Sequence, residues 1–227
     1  MILRSAIAIG LLAGPAFGQG FQLPPSCEPY LTVQSADCNV SHHFTCEGDA
    51  FGTQRRVDID ERGLIYQGQI DDEGQWLASD HFLSGHQEAL VDDPADPQSL
   101  TELFATGADS WDIVTRSDEI GSTRYMGGDT LTGERVTIDG IDLLRTEYTI
   151  RAVADDGTEI WSARGQEYVS ETWRMFLGGS STVTTTEGTV EEPDGSPVEF
   201  IFPGERGFMS ENPKYGCGVT LSAFEKE

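Results

Sequence analysis

Four histidines and one cysteine are the residues whose types and spacing could bind a metal ion in this sequence. His42, His43 and Cys46 lie within SHHFTCEGD, and His81 and His86 lie within DHFLSGH. A zinc site needs three or four ligands that converge on one point. Side chains one or five residues apart on a strand point to opposite faces, so neither histidine pair can easily share an ion. We therefore expect no metal and no other cofactor, although a site that takes one histidine from each pair stays open.

The four cysteines indicate two disulfides rather than metal ligands. Cys27, Cys38, Cys46 and Cys217 allow three pairings. Cys46 lies in the first predicted core strand and Cys217 opens the last one, and first and last strands often become neighbours when a sheet curls. The sequence therefore favours the pairs Cys46–Cys217 and Cys27–Cys38.

Motifs that would support catalysis are missing or broken in the sequence. The stretch DIDERGLIYQGQ has the spacing of a calcium loop, but Arg62 and Gln69 occupy positions that need oxygen ligands and a bidentate glutamate. The stretch GDTLTGE lacks the lysine of a phosphate-binding loop, and no G-x-S-x-G elbow occurs. We assign no catalytic residue. Four tryptophans could line a sugar or lipid groove, but aromatic residues at strand spacing more often belong to a core: Trp76, Trp111, Trp161 and Trp173.

The start of the chain has the pattern of a secretory signal peptide. Arg4 precedes an apolar run over residues 6–13, and the small residues Ala16 and Gly18 follow. We expect cleavage after Gly18 and a location in the periplasm or outside the cell. The predicted organisation is a signal peptide at 1–18, a Pro-rich N-terminal segment at 19–39 and a single antiparallel β domain at 40–227.

The charge of the chain limits its partners. The formal net charge is −25 at pH 7, from 39 acidic and 14 basic residues. Such a surface repels phosphate backbones, which excludes nucleic acid as a partner, and it disfavours anionic lipid headgroups. We expect a monomer without a membrane span after cleavage of the signal.

Turn signals and alternating side chains predict an all-β fold. DERG, DDEG, DDG and PDGSP separate runs rich in β-branched and aromatic residues, a pattern typical of hairpins. In LLRTEYTIRAV, every second side chain from Leu144 to Ala152 is apolar or small enough to be buried. We expect a curved antiparallel sheet or half-barrel of about ten or more strands. The predicted strands are 40–47, 54–60, 63–70, 75–83, 110–117, 122–126, 133–139, 142–154, 158–170, 172–177, 181–190, 197–202 and 217–224.

One short helix is predicted within PADPQSLTELFATG. Ser99 and Glu102 have the spacing of a capping box, and Gly107 supplies a left-handed stop. Leu100, Leu103 and Phe104 form the apolar stripe, which we expect to pack against the sheet.

The block TGERVTIDGIDLLRTEYTIRA, continued to WRMFLGG, follows a signal-like start and a series of acidic hairpins. With these features the chain resembles uncharacterised secreted and periplasmic all-β proteins of alphaproteobacteria over most of residues 40–220. In fold class it is also similar to lipoprotein carriers with open half-barrels. The resemblance implies a curved sheet in an exported protein and carries over no functional residue.

Two functions follow as hypotheses. The first is an exported, non-enzymatic protein of the cell envelope that binds an apolar ligand or an envelope partner on its curved sheet. The alternative is a hydrolase or metal-dependent enzyme that uses acidic residues together with His81 or His86.

Overall fold

One large antiparallel sheet dominates the computed structural model, which describes residues 21–218. The predicted signal peptide and most of the last predicted strand, 217–224, lie outside these residues. The elements are β1 (Cys27–Ser35), β2 (Asn39–Cys46), β3 (Gln54–Asp60), β4 (Gly63–Ile70), β5 (Trp76–His81), β6 (His86–Leu90), α1 (Leu100–Thr106), β7 (Ala108–Ser117), β8 (Gly121–Ile138), β9 (Ile141–Ala154), β10 (Glu159–Ser170), β11 (Met175–Leu177), β12 (Ser181–Thr185), β13 (Val190–Glu191) and β14 (Pro197–Ile201).

The strands lie across the sheet almost in chain order. The path runs β13-β12-β10-β9-β8-β7-β6-β5-β4-β3-β2-β1-β14, and β11 pairs with β10 beside β12. Within residues 21–218 the sheet is not closed, because its path ends at β13 and at β14. The predicted fold class, an antiparallel sheet of more than ten strands with one short helix, is confirmed.

Hairpin geometry and side-chain alternation agree with the sequence in β8 to β10. Asp139 and Gly140 connect β8 to β9 with φ values of 48° and 80°, as a type I′ turn requires. The five side chains that alternation placed on the covered face of β9 are buried or half-buried: Leu144, Thr146, Tyr148, Ile150 and Ala152.

Several strands differ from the prediction. β1 and β6 were not predicted, and the sheet therefore begins at Cys27 rather than at residue 40. The runs 122–126 and 133–139 belong to one strand, β8, because the chain between them forms an irregularity between Leu131 and Arg135 instead of a chain reversal. The run 181–190 contains two short strands, β12 and β13.

All four cysteines form disulfides, but the predicted pairing is wrong. Cys27 bonds to Cys46, with 3.9 Å between the Cα atoms, and Cys38 bonds to Cys217, with 4.7 Å. The reason is β1, which pairs with β2 so that Cys27 and Cys46 lie directly opposite each other. Cys38 lies in the turn at the other end of this hairpin, where its N–H donates to the carbonyl of Tyr215. The C-terminal segment is thereby attached to the β1–β2 turn.

The helix α1 forms where its capping residues predict it. Ser99 Oγ accepts a hydrogen bond from the N–H of Glu102, and Gly107 ends the helix with φ 89°. Only half of the capping box forms, because the N–H of Ser99 donates to Asp109 Oδ2 rather than to Glu102. Leu103 is fully buried beside Leu144 and Val169 of the sheet, as in the predicted core-facing stripe. Among residues 21–218, no helix has the length and apolarity that a membrane crossing requires.

The sheet curves until distant strands touch. Leu31 of β1 and Phe200 of β14 share a core cluster with Leu143 of β9 and Met175 of β11. The N–H of Phe200 also donates to Asp139 Oδ2 in the β8–β9 turn, at 2.9 Å. Because seven strands separate β14 from β8 in the strand path, this contact makes one face of the sheet concave. We call that side the inner face.

Candidate functional site

The concave sheet encloses a cavity of about 200 Å³, which we call the inner cavity. Strands β3 to β6 line one side of it, and β7, β8 and β10 line the other. A smaller cavity of about 80 Å³ adjoins it and shares Arg56, Tyr66 and Trp76 in its wall. The side chains that matter for the chemistry of the inner cavity are Arg56, Tyr66, Trp76, Glu88, Tyr125 and Trp161.

Two larger grooves, of about 730 and 750 Å³, run along the sheet, but we do not place the site there. They are open, and exposed strand side chains of mixed charge, such as Arg164 and Glu147, line them. In the inner cavity, by contrast, aromatic rings and buried ionisable groups meet.

The aromatic wall of the inner cavity comes from neighbouring strands that present the same face. The ring centroids of Trp76 and Tyr125 are 5.5 Å apart, and those of Tyr125 and Trp161 are 6.1 Å apart. Glycine makes room for one further ring, since a Cβ on Gly68 would lie 2.7 Å from Cε1 of Tyr66. Trp76 is 38% exposed, so solvent reaches this wall. Of the four tryptophans, Trp76 and Trp161 line the cavity.

Glu88 supplies a carboxylate to the same wall and is only 7% exposed. It accepts hydrogen bonds from the hydroxyl of Tyr125, at 3.0 Å, and from that of Thr115, at 3.1 Å. Burial, followed by the charge of Glu88, raises the pKa of Tyr125, so its hydroxyl stays a donor. Within residues 21–218, Glu88 forms no ion pair with an arginine or lysine, and the Nε2 atom of His86 lies 3.6 Å from its Oε1 atom.

Arg56 is the cation of the inner cavity. Its Nε lies 3.1 Å from Asp58 Oδ1, and its guanidinium stacks 5.0 Å from the ring centroid of Tyr66. Asp58 also accepts a hydrogen bond from Ser41. Protein atoms surround Arg56 densely, yet 39% of its side-chain surface stays accessible, because that surface faces the cavity. The arginine charge is therefore balanced by Asp58 and covered on one side by Tyr66.

Two carboxyl groups near the cavity have raised pKa values. Burial and the charge of Asp129 raise the pKa of Glu167 to about 8, while Arg56 opposes this shift. Burial also raises the pKa of Asp129 to about 6, although the indole N–H of Trp111 donates to it at 3.0 Å. Carboxyl groups that titrate near neutral pH are typical of sites that bind ligands or move protons.

The prediction that His81 and His86 lie on opposite faces is wrong. The two residues belong to different strands, β5 and β6, and lie directly opposite each other in the hairpin. Their rings stack with 4.4 Å between centroids and an angle of 11°. Ser79 and Ser84 hydrogen-bond to His81 and His86, respectively. Burial and the neighbouring His86 lower the pKa of His81.

His42 and His43 are buried in β2 and do not join the other pair. His42 Nδ1 lies 3.0 Å from the hydroxyl of Thr32, whereas the ring of His43 packs near Tyr30. Burial lowers the pKa to about 4 for His42 and to about 3 for His43, so both are neutral at pH 7. Within residues 21–218, one group of three potential metal ligands lies together, Cys38, Glu61 and Cys217, but its two sulfurs form a disulfide.

The sequence offered little that would have identified the inner cavity. Arg56 and Asp58 alternate in β3, and Tyr66 and Gly68 alternate in β4, which places each pair on one face. That signal places side chains on a face, but it does not show which distant strands the face will meet. No protein family model, curated protein or solved structure matches the chain. The geometry of the cavity therefore carries the argument about function.

Proposed function

We propose that this chain is an exported, non-enzymatic ligand-binding protein that holds a small molecule in its inner cavity. The observation that carries the proposal is the convergence of Trp76, Tyr125 and Trp161 with the buried carboxylate of Glu88 around one space. Binding sites typically combine aromatic walls with a few fixed polar groups in this way. A wall of apolar side chains alone would avoid the free-energy cost of burying a carboxylate.

The volume of the cavity limits the size of the ligand that it can hold. Sites for drug-sized molecules have volumes of about 300 to 1,000 Å³, whereas the inner cavity has about 200 Å³. Its occupant is smaller than the lipid-like ligand that the sequence suggested. The cavity also has a more polar wall than that ligand would need, because it includes Arg56 and Glu88. Docking of the sheet on an envelope partner stays a prediction from the sequence.

Export is supported by the disulfides. Disulfides form and persist in oxidising environments, which indicates a compartment other than the cytoplasm. Together with the signal-like start of the chain, this supports a periplasmic or secreted location.

Fragment binding followed by NMR tests the proposal. We expect small aromatic and amine fragments to shift the indole N–H signals of Trp76 and Trp161. The signal of Trp173, which packs on Phe200 elsewhere in the core, is the internal control. A fragment collection that shifts none of these signals, or that shifts Trp173 as strongly as Trp161, would refute a binding site in the inner cavity.

A second candidate function is an enzyme, and one observation favours it. The pKa of Glu167, about 8, and that of Asp129, about 6, suit groups that exchange protons near neutral pH. The stacked pair of His81 and His86 lies on the same concave side, beside Glu88. Elemental analysis of protein purified from its host separates the candidates. Stoichiometric zinc that is lost on replacing His81 and His86 by alanine would favour the enzyme.

A further inference from the structure

We propose that the ligand of the inner cavity is a small, freely diffusing organic cation of the methylated ammonium class. This inference rests on the proposed ligand-binding function and specifies the ligand. Two features of the cavity carry it: the charge balance of its wall and the three aromatic rings that line its space.

The charge balance of the wall leaves one negative charge without a partner. Arg56 is balanced by Asp58, at 3.1 Å. Glu88 accepts its hydrogen bonds from the hydroxyls of Tyr125 and Thr115, which carry no charge. Buried carboxylates are normally paired with a cation, because removing a charge from water costs free energy. A cationic ligand in the cavity would supply the missing partner.

His86 does not remove this need. Its Nε2 lies 3.6 Å from Glu88, but its ring is stacked on His81 with 4.4 Å between centroids. At 3.6 Å this nitrogen lies beyond hydrogen-bond distance of the Glu88 carboxylate. A carboxylate beside stacked imidazoles therefore retains its capacity to attract a cation from the cavity.

The aromatic faces suit the same ligand. A cation is attracted to the face of tryptophan, tyrosine or phenylalanine within about 6 Å of the ring centroid, and methylated ammonium groups are commonly held by several such rings. Trp76, Tyr125 and Trp161 line one cavity, and the distances of 5.5 and 6.1 Å between successive ring centroids place all three rings beside the same space. Tyr66 does not contribute a free face there, since Arg56 covers it. Three rings and one carboxylate thus surround a space of small-molecule size.

The whole chain favours the approach of such a ligand. Its formal net charge of −25 creates a negative potential that raises the local concentration of cations. This potential is unspecific and is screened by salt, so it does not distinguish one cation from another. The aromatic rings select a methylated ammonium over a hydrated metal ion. Their faces are poor substitutes for the water molecules around a small, strongly hydrated ion.

Calorimetric titration with choline and with 3,3-dimethylbutan-1-ol, its uncharged isostere, tests the inference. The titrations are made at pH 8, where an ordinary histidine is uncharged, and at constant ionic strength. We expect choline to bind at least tenfold more tightly than the isostere and to shift the indole signals of Trp76 and Trp161. Glu88→Gln keeps an acceptor for the Tyr125 hydroxyl but removes the charge, and we expect it to weaken choline binding at least tenfold.

Two controls accompany these titrations. Glu191→Gln makes the same change on an exposed residue and should alter choline binding less than twofold. The dispersion of the NMR spectrum establishes that Glu88→Gln is folded, and binding of the isostere should be the same in this variant as in the unmodified protein. Co-sedimentation with phosphatidylcholine vesicles distinguishes a free cation from a lipid headgroup, and we expect the protein to stay in the supernatant.

The failure of this inference and the failure of the proposed function give different results. Equal affinity for choline and its isostere, or binding of neutral aromatic fragments without choline, would overturn the cationic ligand and leave the binding function standing. Sedimentation with the vesicles would overturn the freely diffusing ligand. If neither choline nor any neutral fragment perturbs Trp76 or Trp161, both proposals are wrong.

Discussion

Glu167 offers the sharpest test of the electrostatics inside the curved sheet. Its carboxyl group lies on β10 and is half-buried, with Asp129 as a nearby acid and Arg56 as a nearby base. Burial and the repulsion from Asp129 raise its pKa from an ordinary value of 4.5 to about 8. In the folded protein this group is therefore protonated over a range of pH in which the unfolded chain has already ionised it.

The sign of the pH effect follows from proton linkage. Between pH 4.5 and pH 8 the folded protein binds more protons at Glu167 than the unfolded chain, so stability falls as pH rises through this window. Below pH 4.5 the effect vanishes, and above pH 8 it is constant. One pKa unit corresponds to about 1.36 kcal/mol, so a pKa of about 8 against 4.5 gives an upper limit of about 5 kcal/mol. Residual contact of Glu167 with solvent reduces this loss of stability. We expect the full loss, from below pH 4.5 to above pH 8, to be roughly 2 to 5 kcal/mol.

The perturbation is Glu167→Gln, which keeps the shape of the side chain and cannot ionise. Urea unfolding of both proteins at pH 5, 7 and 9 gives the difference in their free energies of unfolding at each pH. We expect this difference to change by roughly 2 to 4 kcal/mol from pH 5 to pH 9, in favour of the glutamine variant at high pH. Glu187→Gln, on an exposed loop, should show no such change. A constant difference between Glu167→Gln and the unmodified protein would refute the reasoning.

Three further predictions concern stability and use the midpoint of urea unfolding. Leu103→Ala should lower the free energy of unfolding by about 3 to 4 kcal/mol because Leu103 of α1 is fully buried against the sheet. A loss below about 1 kcal/mol would contradict that packing. Gly68→Ala should lower the free energy of unfolding by about 1 to 3 kcal/mol because the new Cβ would lie 2.7 Å from Cε1 of Tyr66. An unchanged midpoint would show that the tyrosine ring moves aside freely. Replacing Cys38 and Cys217 by alanine should lower the free energy of unfolding by up to about 5 kcal/mol because their bond spans 179 residues. If removing the disulfide between Cys27 and Cys46 caused the larger loss, the chain-entropy explanation would be wrong.

Local signals predicted the parts of the fold that depend on nearby residues. Ser99 and Gly107 delimit α1 through contacts within the helix itself. The alternation from Leu144 to Ala152 predicted the covered face of β9, because neighbouring side chains of a strand point to opposite sides. Such features need only a few consecutive residues, and the sequence contains them in full.

Features that depend on distant residues were missed or wrong. Cys27 was paired with the wrong cysteine because β1 was taken for part of an N-terminal segment. His81 and His86 were placed on one strand, although residues 82–85 reverse the chain between them. In both cases a chain reversal decides which side chains meet. A hairpin that is misjudged by a few residues therefore changes the predicted chemistry, even when most of the strands are right.

The inner cavity depends on curvature, which no single segment specifies. Arg56 on β3 and Trp161 on β10 line the same space, although six strands separate β3 from β10 in the sheet. Right-handed strand twist, accumulated over many strands, and irregular pairings such as that in β8 bring these strands together. Side-chain alternation gives the face of each residue, but the partner across the cavity follows only from the whole sheet.

The composition of the cavity wall fits the proposed ligand-binding function better than a wall that serves stability alone. A space of about 200 Å³ lowers stability, because the side chains around it lose packing contacts. Arg56 and Glu88 add the cost of charges removed from bulk water. Filling the space with leucine or isoleucine would avoid both costs, and the same chain fills the core around Leu31 and Phe200 in that way. One half of the concave face therefore has an arrangement that costs stability, whereas the other half is a conventional core. Such a contrast is expected where a site must stay open for a ligand.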